Sequence, residues 1–221
     1  MTRKQYAIMG FLAPAIFWIT YFVMANQRTE YSFLTKAVSE LGSLDAPNKW
    51  TWNILGYILP GLFIAIFSIG LYKNVKTENS SKLPLTGIFL SGVFMAISGI
   101  FPGDFEDRRS LIMLLHTVGS FGSYIFFLIG AFTYPTQMKK SVYWKSAVRP
   151  TLIFTWLTII FGSWFLIFPN IPSAGQRIVF AFYFSWIAFT AYKLYHSTEK
   201  VELKNNYHPT TKPSLRPRGE Q

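Results

Sequence analysis

The sequence has no cysteine, only three histidines and a small share of charged residues, 14%. Without cysteine there are no disulfides, no thiolate chemistry and no cysteine-ligated clusters. The charged fraction falls well below the roughly 25% typical of soluble domains. The charges are also unevenly spread, because six long stretches contain no Asp, Glu, Lys or Arg. These stretches are residues 5–27, 50–72, 83–103, 110–138, 150–176 and 178–192.

The uncharged stretches are apolar, since hydrophobic residues make up 51% of the chain and aromatic residues 19%. About 20 consecutive apolar residues cross a bilayer as a helix. The sixth stretch is short, but Lys193 can lengthen it by reaching the interface with its apolar stem. We therefore predict an all-α polytopic membrane protein, a six-transmembrane-helix bundle. The helices are expected at about residues 5–26, 51–73, 84–102, 109–134, 150–168 and 176–195.

The bundle is expected to form one domain, residues 1–196. The rest of the chain, residues 197–221, has no apolar periodicity and contains scattered charges and three prolines. This composition is typical of segments that cannot bury enough apolar surface to fold. The sequence therefore predicts a disordered cytoplasmic tail.

Positive charge lies mostly at one end of the predicted helices. The N-terminus, the 73–82 and 139–149 loops and the tail from residue 193 hold 15 of the 21 Lys and Arg residues. The other loops hold six, together with six Asp and Glu residues. The positive-inside rule predicts a multi-pass protein of the cell inner (plasma) membrane with both termini cytoplasmic. The net charge of +11 then reflects topology and attraction to the lipid bilayer rather than nucleic-acid binding.

The longest predicted connection, residues 27–50, contains apolar residues at helical spacing. Nine residues are too few to span a bilayer. We predict a short interfacial helix in this first outer loop, over residues 33–41, ended by Gly42. The side chains expected to face lipid or the bundle are those of Phe33, Leu34, Val38 and Leu41.

Small residues form stripes along the third and fourth predicted helices. Such stripes let two helix backbones approach closely in a membrane. We therefore expect these two helices to be neighbours, joined by a tight outer loop. The residues are Gly87, Ser91, Gly92, Ala96, Ser98 and Gly99 in the third helix and Gly119, Ser120, Gly122 and Ser123 in the fourth.

His116 is the only histidine in a predicted span, and an ionisable side chain within a bilayer marks a functional site by default. Asp104 follows the Pro-Gly break that ends the third helix, shortly before the fourth begins. We predict that Asp104 and His116 form an acid–base pair, as catalytic candidates, because a carboxylate would fix the imidazole tautomer. The alternatives are that His116 bonds to Ser120 or a backbone carbonyl, and that Asp104 pairs with Arg108 and Arg109 in a solvated turn.

Four more polar residues at the predicted outer end are candidate ligand-binding residues. Arg177 is expected to take an anionic group, with Ser39 and Asn53 orienting it. Glu40 is a capping or gating carboxylate in this hypothesis. Alternatively, Glu40 and Asn53 only satisfy backbone groups around the loop.

Sequence patterns give no support for several kinds of site. No metal site is predicted, because zinc needs three or four ligands and usually two or more histidines. The alternative is a carboxylate-rich site formed by Asp104, Glu40 and His116. The cofactor stays unknown, and the sequence has no nucleotide-binding loop or serine-hydrolase elbow.

Several short motifs, taken in order, resemble the DUF998 family, a group of small bacterial and archaeal membrane proteins of unassigned function. The resemblance covers roughly residues 5–195. At the start of the sixth helix the family often has Gly-Glu-Arg, whereas this chain has Gly175-Gln176-Arg177, which leaves the arginine but not the acid. The motifs are Tyr31-Ser32, Ser39-Glu40-Leu41-Gly42, Asn53, Gly99-Ile100-Phe101-Pro102-Gly103-Asp104 and His116-Thr117.

The leading functional hypothesis is an outward-facing polar pocket that binds or processes a lipid headgroup or a small polar ligand. A small proton-coupled transporter, with His116 relaying protons, is an alternative. The polar residues concentrate in the outer half of the spans, which argues against a transport path. A third hypothesis is a non-catalytic membrane subunit whose small-residue stripes bind partner helices. The sequence leaves enzymatic activity and oligomeric state open.

Overall fold

The computed structural model describes residues 1–197, and within them six helices are long and apolar enough to cross a membrane. No strand occurs in this part of the chain. The predicted all-α multi-pass membrane fold is confirmed. The predicted disorder of the tail concerns residues that lie almost wholly outside the described ones. The helices are α1 (Arg3–Asn26), α2 (Lys49–Val75), α3 (Leu83–Ile100), α4 (Leu111–Met138), α5 (Trp144–Ile167) and α6 (Pro172–His196).

Local sequence signals set where several helices begin. Thr2 caps α1 by accepting a hydrogen bond from Gln5 N, and the Gln5 side chain accepts one from Thr2 N. Ser110 caps α4 through Met113 N. Pro84 and Pro172 occupy the first turns of α3 and α6, where the missing N–H costs nothing.

The bundle has two ends, which we name by the segments found there. The loop end carries the first loop (residues 27–48) and the α3–α4 and α5–α6 connections. The terminal end carries the start of α1, the end of α6 and the α2–α3 and α4–α5 connections. The large apolar side chains exposed along the helices, such as Ile19, Phe121 and Ile160, form the surface that faces lipid.

Close helix packing follows the small residues, as predicted for α3 and α4. A Cβ atom added to Gly87 would overlap the backbone of Gly130, and one added to Gly119 would overlap the backbone of Ser98. α2 and α3 meet in the same way, with Gly61 against the Gly92 carbonyl oxygen. α5 lies at the edge of the bundle, against α4 and α6.

The helix predicted over residues 33–41 is wrong in extent. Residues 33–37 form turns, and the short helix is a 3₁₀-helix, Val38–Gly42. Val38 and Leu41 are buried in the bundle, one of the two placements predicted for them. Phe33 and Leu34 are 42% and 52% exposed. That they face lipid stays a prediction.

The reason for the shorter helix lies in α6. The carbonyl groups of Leu34 and Thr35 accept hydrogen bonds from the backbone N–H and hydroxyl of Ser173, at 3.2 and 2.9 Å. The N–H of Val38 donates to Gln176 Oε1 at 2.9 Å. Backbone groups that bond to another element are not available for helical i→i+4 bonds, so the helix begins only at Val38.

Candidate functional site

The Arg177 guanidinium fixes the first loop to α6 with four hydrogen bonds. Nε donates to the Tyr21 hydroxyl at 2.6 Å, and Nη1 donates to the carbonyl oxygen of Ser173 at 2.7 Å. Nη2 donates to the Tyr31 hydroxyl and to the carbonyl oxygen of Lys36, both at 2.8 Å. No carboxylate of residues 1–197 makes an ion pair with it. Arg177 therefore connects α1, the first loop and α6.

Tyr31, one of the acceptors of Arg177, makes a further hydrogen bond within the first loop. Its hydroxyl donates to the carbonyl oxygen of Ala37 at 3.1 Å while it accepts from Arg177. Burial raises the pKa of Tyr31 above its ordinary value, although the nearby Arg177 charge opposes this. The phenol therefore stays protonated and remains a donor across the physiological pH range.

Glu40 and Asn53 satisfy backbone groups of the loop. Glu40 Oε1 accepts from the N–H of Ala37 at 2.7 Å, and Oε2 pairs with Lys36 at 3.0 Å. The buried Asn53 amide donates to the carbonyl oxygen of Gly42 at 2.9 Å. A side chain at Gly42 would overlap Asn53 and Trp52, so glycine permits this approach.

Asp104 organises the α3–α4 connection. Its side chain accepts a hydrogen bond from the N–H of Asp107 at 3.0 Å. This bond is the main reason why the pKa of the Asp104 carboxyl lies below its usual value, and an interaction with Ser110 lowers the pKa further. The adjacent Gly103 carbonyl accepts from the N–H of Leu44, which attaches the first loop to the same connection.

His116 lies buried below this connection and bonds to the end of α3. Its Nδ1 is 3.0 Å from the carbonyl oxygen of Ser98 and 2.9 Å from that of Phe101. Carbonyl oxygens only accept, so Nδ1 carries the proton and Nε2 of the neutral ring has a free lone pair. Asp104 is not among the hydrogen-bond partners of His116 in residues 1–197. The proposed acid–base pairing of these two residues stays a prediction.

Nε2 of His116 begins a short chain of hydroxyl groups. Ser120 Oγ lies 3.5 Å from Nε2 and 2.6 Å from Ser98 Oγ. Ser98 in turn donates to the carbonyl oxygen of His116 at 3.2 Å. The histidine is therefore held by contacts to Ser120 and to backbone carbonyls, the arrangement set out above as the alternative to an Asp104 partner.

A cavity of about 400 Å³ lies beside these hydroxyls, between α3, α4, α5 and α6. Its walls are mainly aromatic and aliphatic. Among the polar groups at the cavity, the Tyr183 hydroxyl bonds to Ser91 at 2.9 Å, and Ser91 lies 3.4 Å from Ser123. The polar side chains that line it are Tyr57, Ser98, Ser120, Ser123, Tyr124, Ser173, Gln176 and Tyr183.

Tyr57 links the first loop to the cavity. It lines the cavity, its ring centroid is 6.3 Å from that of His116, and its hydroxyl interacts with the buried Ser39. The sequence analysis did not select Tyr57, Tyr183 or Ser91 as site residues. Each of them has a hydroxyl group within an apolar span, which is a feature visible in the sequence. Many other hydroxyls in the spans share this feature without lying near a cavity, so the sequence alone could not select these three.

The predicted site residues thus fall into three groups. His116 adjoins the cavity through Ser120, and Ser39 approaches it through Tyr57. Glu40, Asn53 and Arg177 hold the first loop, and Asp104 holds the α3–α4 connection. Within residues 1–197 no three His, Asp or Glu side chains come together as metal ligands would.

Comparison with known proteins identifies a family for this chain. No curated protein and no solved structure was found to match the chain. A family model described as "Protein of unknown function (DUF998)" matches residues 11–193. The match runs from within α1 to near the end of α6 and includes the first loop, His116 and every residue that lines the cavity. The chain therefore belongs to the DUF998 family of membrane proteins of unknown function.

Proposed function

We propose that this protein binds a membrane lipid in the cavity between α3, α4, α5 and α6. The apolar chain of the lipid lies among the aromatic walls, and a polar group of the lipid meets Ser98 and Ser120 beside His116. The observation that carries the proposal is a cavity of about 400 Å³ whose walls are mainly apolar and include the hydroxyls of Ser98, Ser120 and Ser123. Ligand sites are commonly apolar clefts of this size with a few convergent polar groups.

Access from the bilayer supports a lipid rather than a water-soluble ligand. Phe121 and Phe165 line the cavity and are 64% and 55% exposed. They lie on α4 and α5, whose exposed faces are in contact with lipid. The cavity therefore opens sideways between α4 and α5, where an acyl or isoprenoid chain can enter.

The first loop closes the cavity at the loop end. Ala37 and Gln176 both line the cavity, and Gln176 accepts from the N–H of Val38. Arg177, Glu40 and Asn53 position this loop, and Ser39 reaches Tyr57 in the cavity wall. In this proposal Ser120 donates to Ser98, which donates to the His116 carbonyl oxygen. The lone pairs of Ser120 Oγ and of His116 Nε2 then accept hydrogen bonds from a donor in the lipid's polar group.

Lipid retention tests the proposal. Gly162 lines the cavity, and a Cβ atom added to it would come nearest to the Tyr124 hydroxyl, which also lines the cavity. Gly162→Phe therefore places a ring in the cavity. Ile160→Phe is the matched control, because Ile160 is on the same helix but faces lipid. Native mass spectrometry should find at least about tenfold less bound lipid with Gly162→Phe than with the control. Equal lipid in both variants, at equal melting temperature, would overturn the proposal.

We also propose that the protein lies in the plasma membrane with its terminal end in the cytoplasm, as the charge distribution favours. The natural absence of cysteine allows single cysteines to report the side. Val142→Cys lies at the terminal end and Glu106→Cys at the loop end, both at exposed positions. A membrane-impermeant maleimide on intact cells should label only Glu106→Cys. Labelling of Val142→Cys would contradict the orientation.

A further inference from the structure

A second, smaller cavity lies at the terminal end, far along the helices from the lipid cavity. It has a volume of about 170 Å³ and lies between the start of α1 and the end of α2. Two of its side chains are cationic, and no Asp or Glu lines it. The lining residues are Met1, Arg3, Tyr6, Gly70, Lys73 and Asn74.

The Arg3 guanidinium is the central observation. Its Nε and Nη1 atoms are buried, and no atom of residues 1–197 accepts a hydrogen bond from either. The side chain as a whole is half-buried. Buried donors without an acceptor are costly. An anion in the cavity would accept hydrogen bonds from Nε and Nη1 and would also balance the charge of the guanidinium.

The surrounding groups favour an anion as well. Asn74 also lines the cavity, and its Oδ1 accepts from the Trp144 indole at 3.0 Å, which leaves its NH₂ group as a donor. The Lys73 ammonium lies over the Tyr6 ring, 5.5 Å from its centroid, and forms no ion pair with an acid of the described residues. Arg3 is also in the first turn of α1, where the helix dipole is positive.

We propose that this cavity binds a phosphate group. Its donors come from Arg3 on α1 and from Lys73 and Asn74 on α2. A phosphate has oxygens in several directions, whereas a carboxylate has two in one plane. The site lies at the membrane-surface end of two spanning helices, where phospholipid headgroups are found and where basic pockets bind them. The phosphate can belong to an anionic phospholipid or to a free phosphate species.

Matched charge variants test the site in the full chain. Arg3→Gln and Lys73→Gln each remove one cavity charge. Lys4→Gln removes the same charge from the neighbouring residue, which lies over Tyr195 and does not line the cavity. Arg3→Lys keeps the charge but removes the guanidinium, and it replaces Arg3→Gln in the experiment if Arg3→Gln does not fold.

The first arm measures lipid. In nanodiscs that contain phosphatidylglycerol and phosphatidylcholine, native mass spectrometry should show phosphatidylglycerol retained by the wild type and by Lys4→Gln. Arg3→Gln and Lys73→Gln should retain about tenfold less. In the second arm, inorganic phosphate is titrated in detergent at constant ionic strength. A rise in melting temperature with phosphate but not chloride, lost in Arg3→Gln, would assign the site to a free phosphate species.

Two outcomes would overturn the proposal. The first is that Arg3→Gln and Lys4→Gln behave alike in both arms. The second involves Glu199 and Glu202, which lie beyond the described residues. Suppose that the double variant Glu199→Gln and Glu202→Gln lowers the melting temperature as much as Arg3→Gln does, and that neither phosphatidylglycerol nor inorganic phosphate binds. The chain itself then supplies the anion.

Discussion

Arg177→Met is expected to release the first loop and to lower the free energy of unfolding by about 3 kcal/mol, because several hydrogen bonds from one charged donor are lost together. The substitution deletes four hydrogen bonds, to Tyr21, Tyr31, Ser173 and Lys36. It also removes the cation that lies over the rings of Tyr21 and Tyr31, 5.7 and 5.5 Å from their centroids. The buried tyrosine hydroxyls then lose a charged donor.

The measurement combines unfolding in mixed micelles with limited proteolysis of the first loop. Arg177→Lys should behave like Arg177→Met, because an ammonium on a flexible stem cannot reach all four acceptors. Arg109→Met is the matched control, since Arg109 is exposed at the same end of the bundle. Unchanged stability and unchanged loop cleavage in Arg177→Met would show that the guanidinium does not hold the loop.

Gly61→Ala is expected to destabilise the bundle although alanine is the better helix former. A Cβ atom on Gly61 would overlap the Gly92 carbonyl oxygen and the Ala96 nitrogen, both of which are backbone atoms. α2 and α3 must therefore separate, at a cost of about 2 kcal/mol. Helix propensity alone predicts the opposite sign, a gain of about 1 kcal/mol.

Gly162→Ala is the matched control for this effect. Its added methyl group would lie 3.3 Å from the flexible end of Tyr124, which can move aside. This variant should be as stable as the wild type or slightly more so in the same unfolding measurement. If Gly61→Ala and Gly162→Ala change stability equally, then glycine at residue 61 is not needed for the close approach of α2 and α3.

The spans were predictable because their signal is local. A run without charges is sufficient to locate a membrane helix, and small residues are sufficient to indicate which helices approach closely. The first loop was harder. The spacing of Phe33, Leu34, Val38 and Leu41 fits a helix, but Ser173 and Gln176, more than 130 residues later, take the backbone groups that such a helix would use.

The candidate site was only partly predictable for the same reason. The cost of burying His116 drew attention to it, and its contacts to Ser120 and to backbone carbonyls were foreseen as an alternative. The cavity was not foreseen. It depends on how far α5 lies from α4 and α6, and hence on packing among residues distant in sequence. Arg177 was correctly placed at the loop end, but its acceptors are hydroxyls and carbonyls that no motif indicates.

Whether a lipid occupies the cavity is tested most directly by site mapping with a photoactivatable lipid. A phospholipid with a diazirine near the middle of one acyl chain is incorporated into nanodiscs with the wild type, irradiated, and the labelled residues are identified by mass spectrometry. The account predicts adducts on cavity residues such as Tyr124, Phe180 and Tyr183, and their loss in Gly162→Phe but not in Ile160→Phe. Adducts confined to lipid-facing positions such as Ile19, equal in all three proteins, would contradict it.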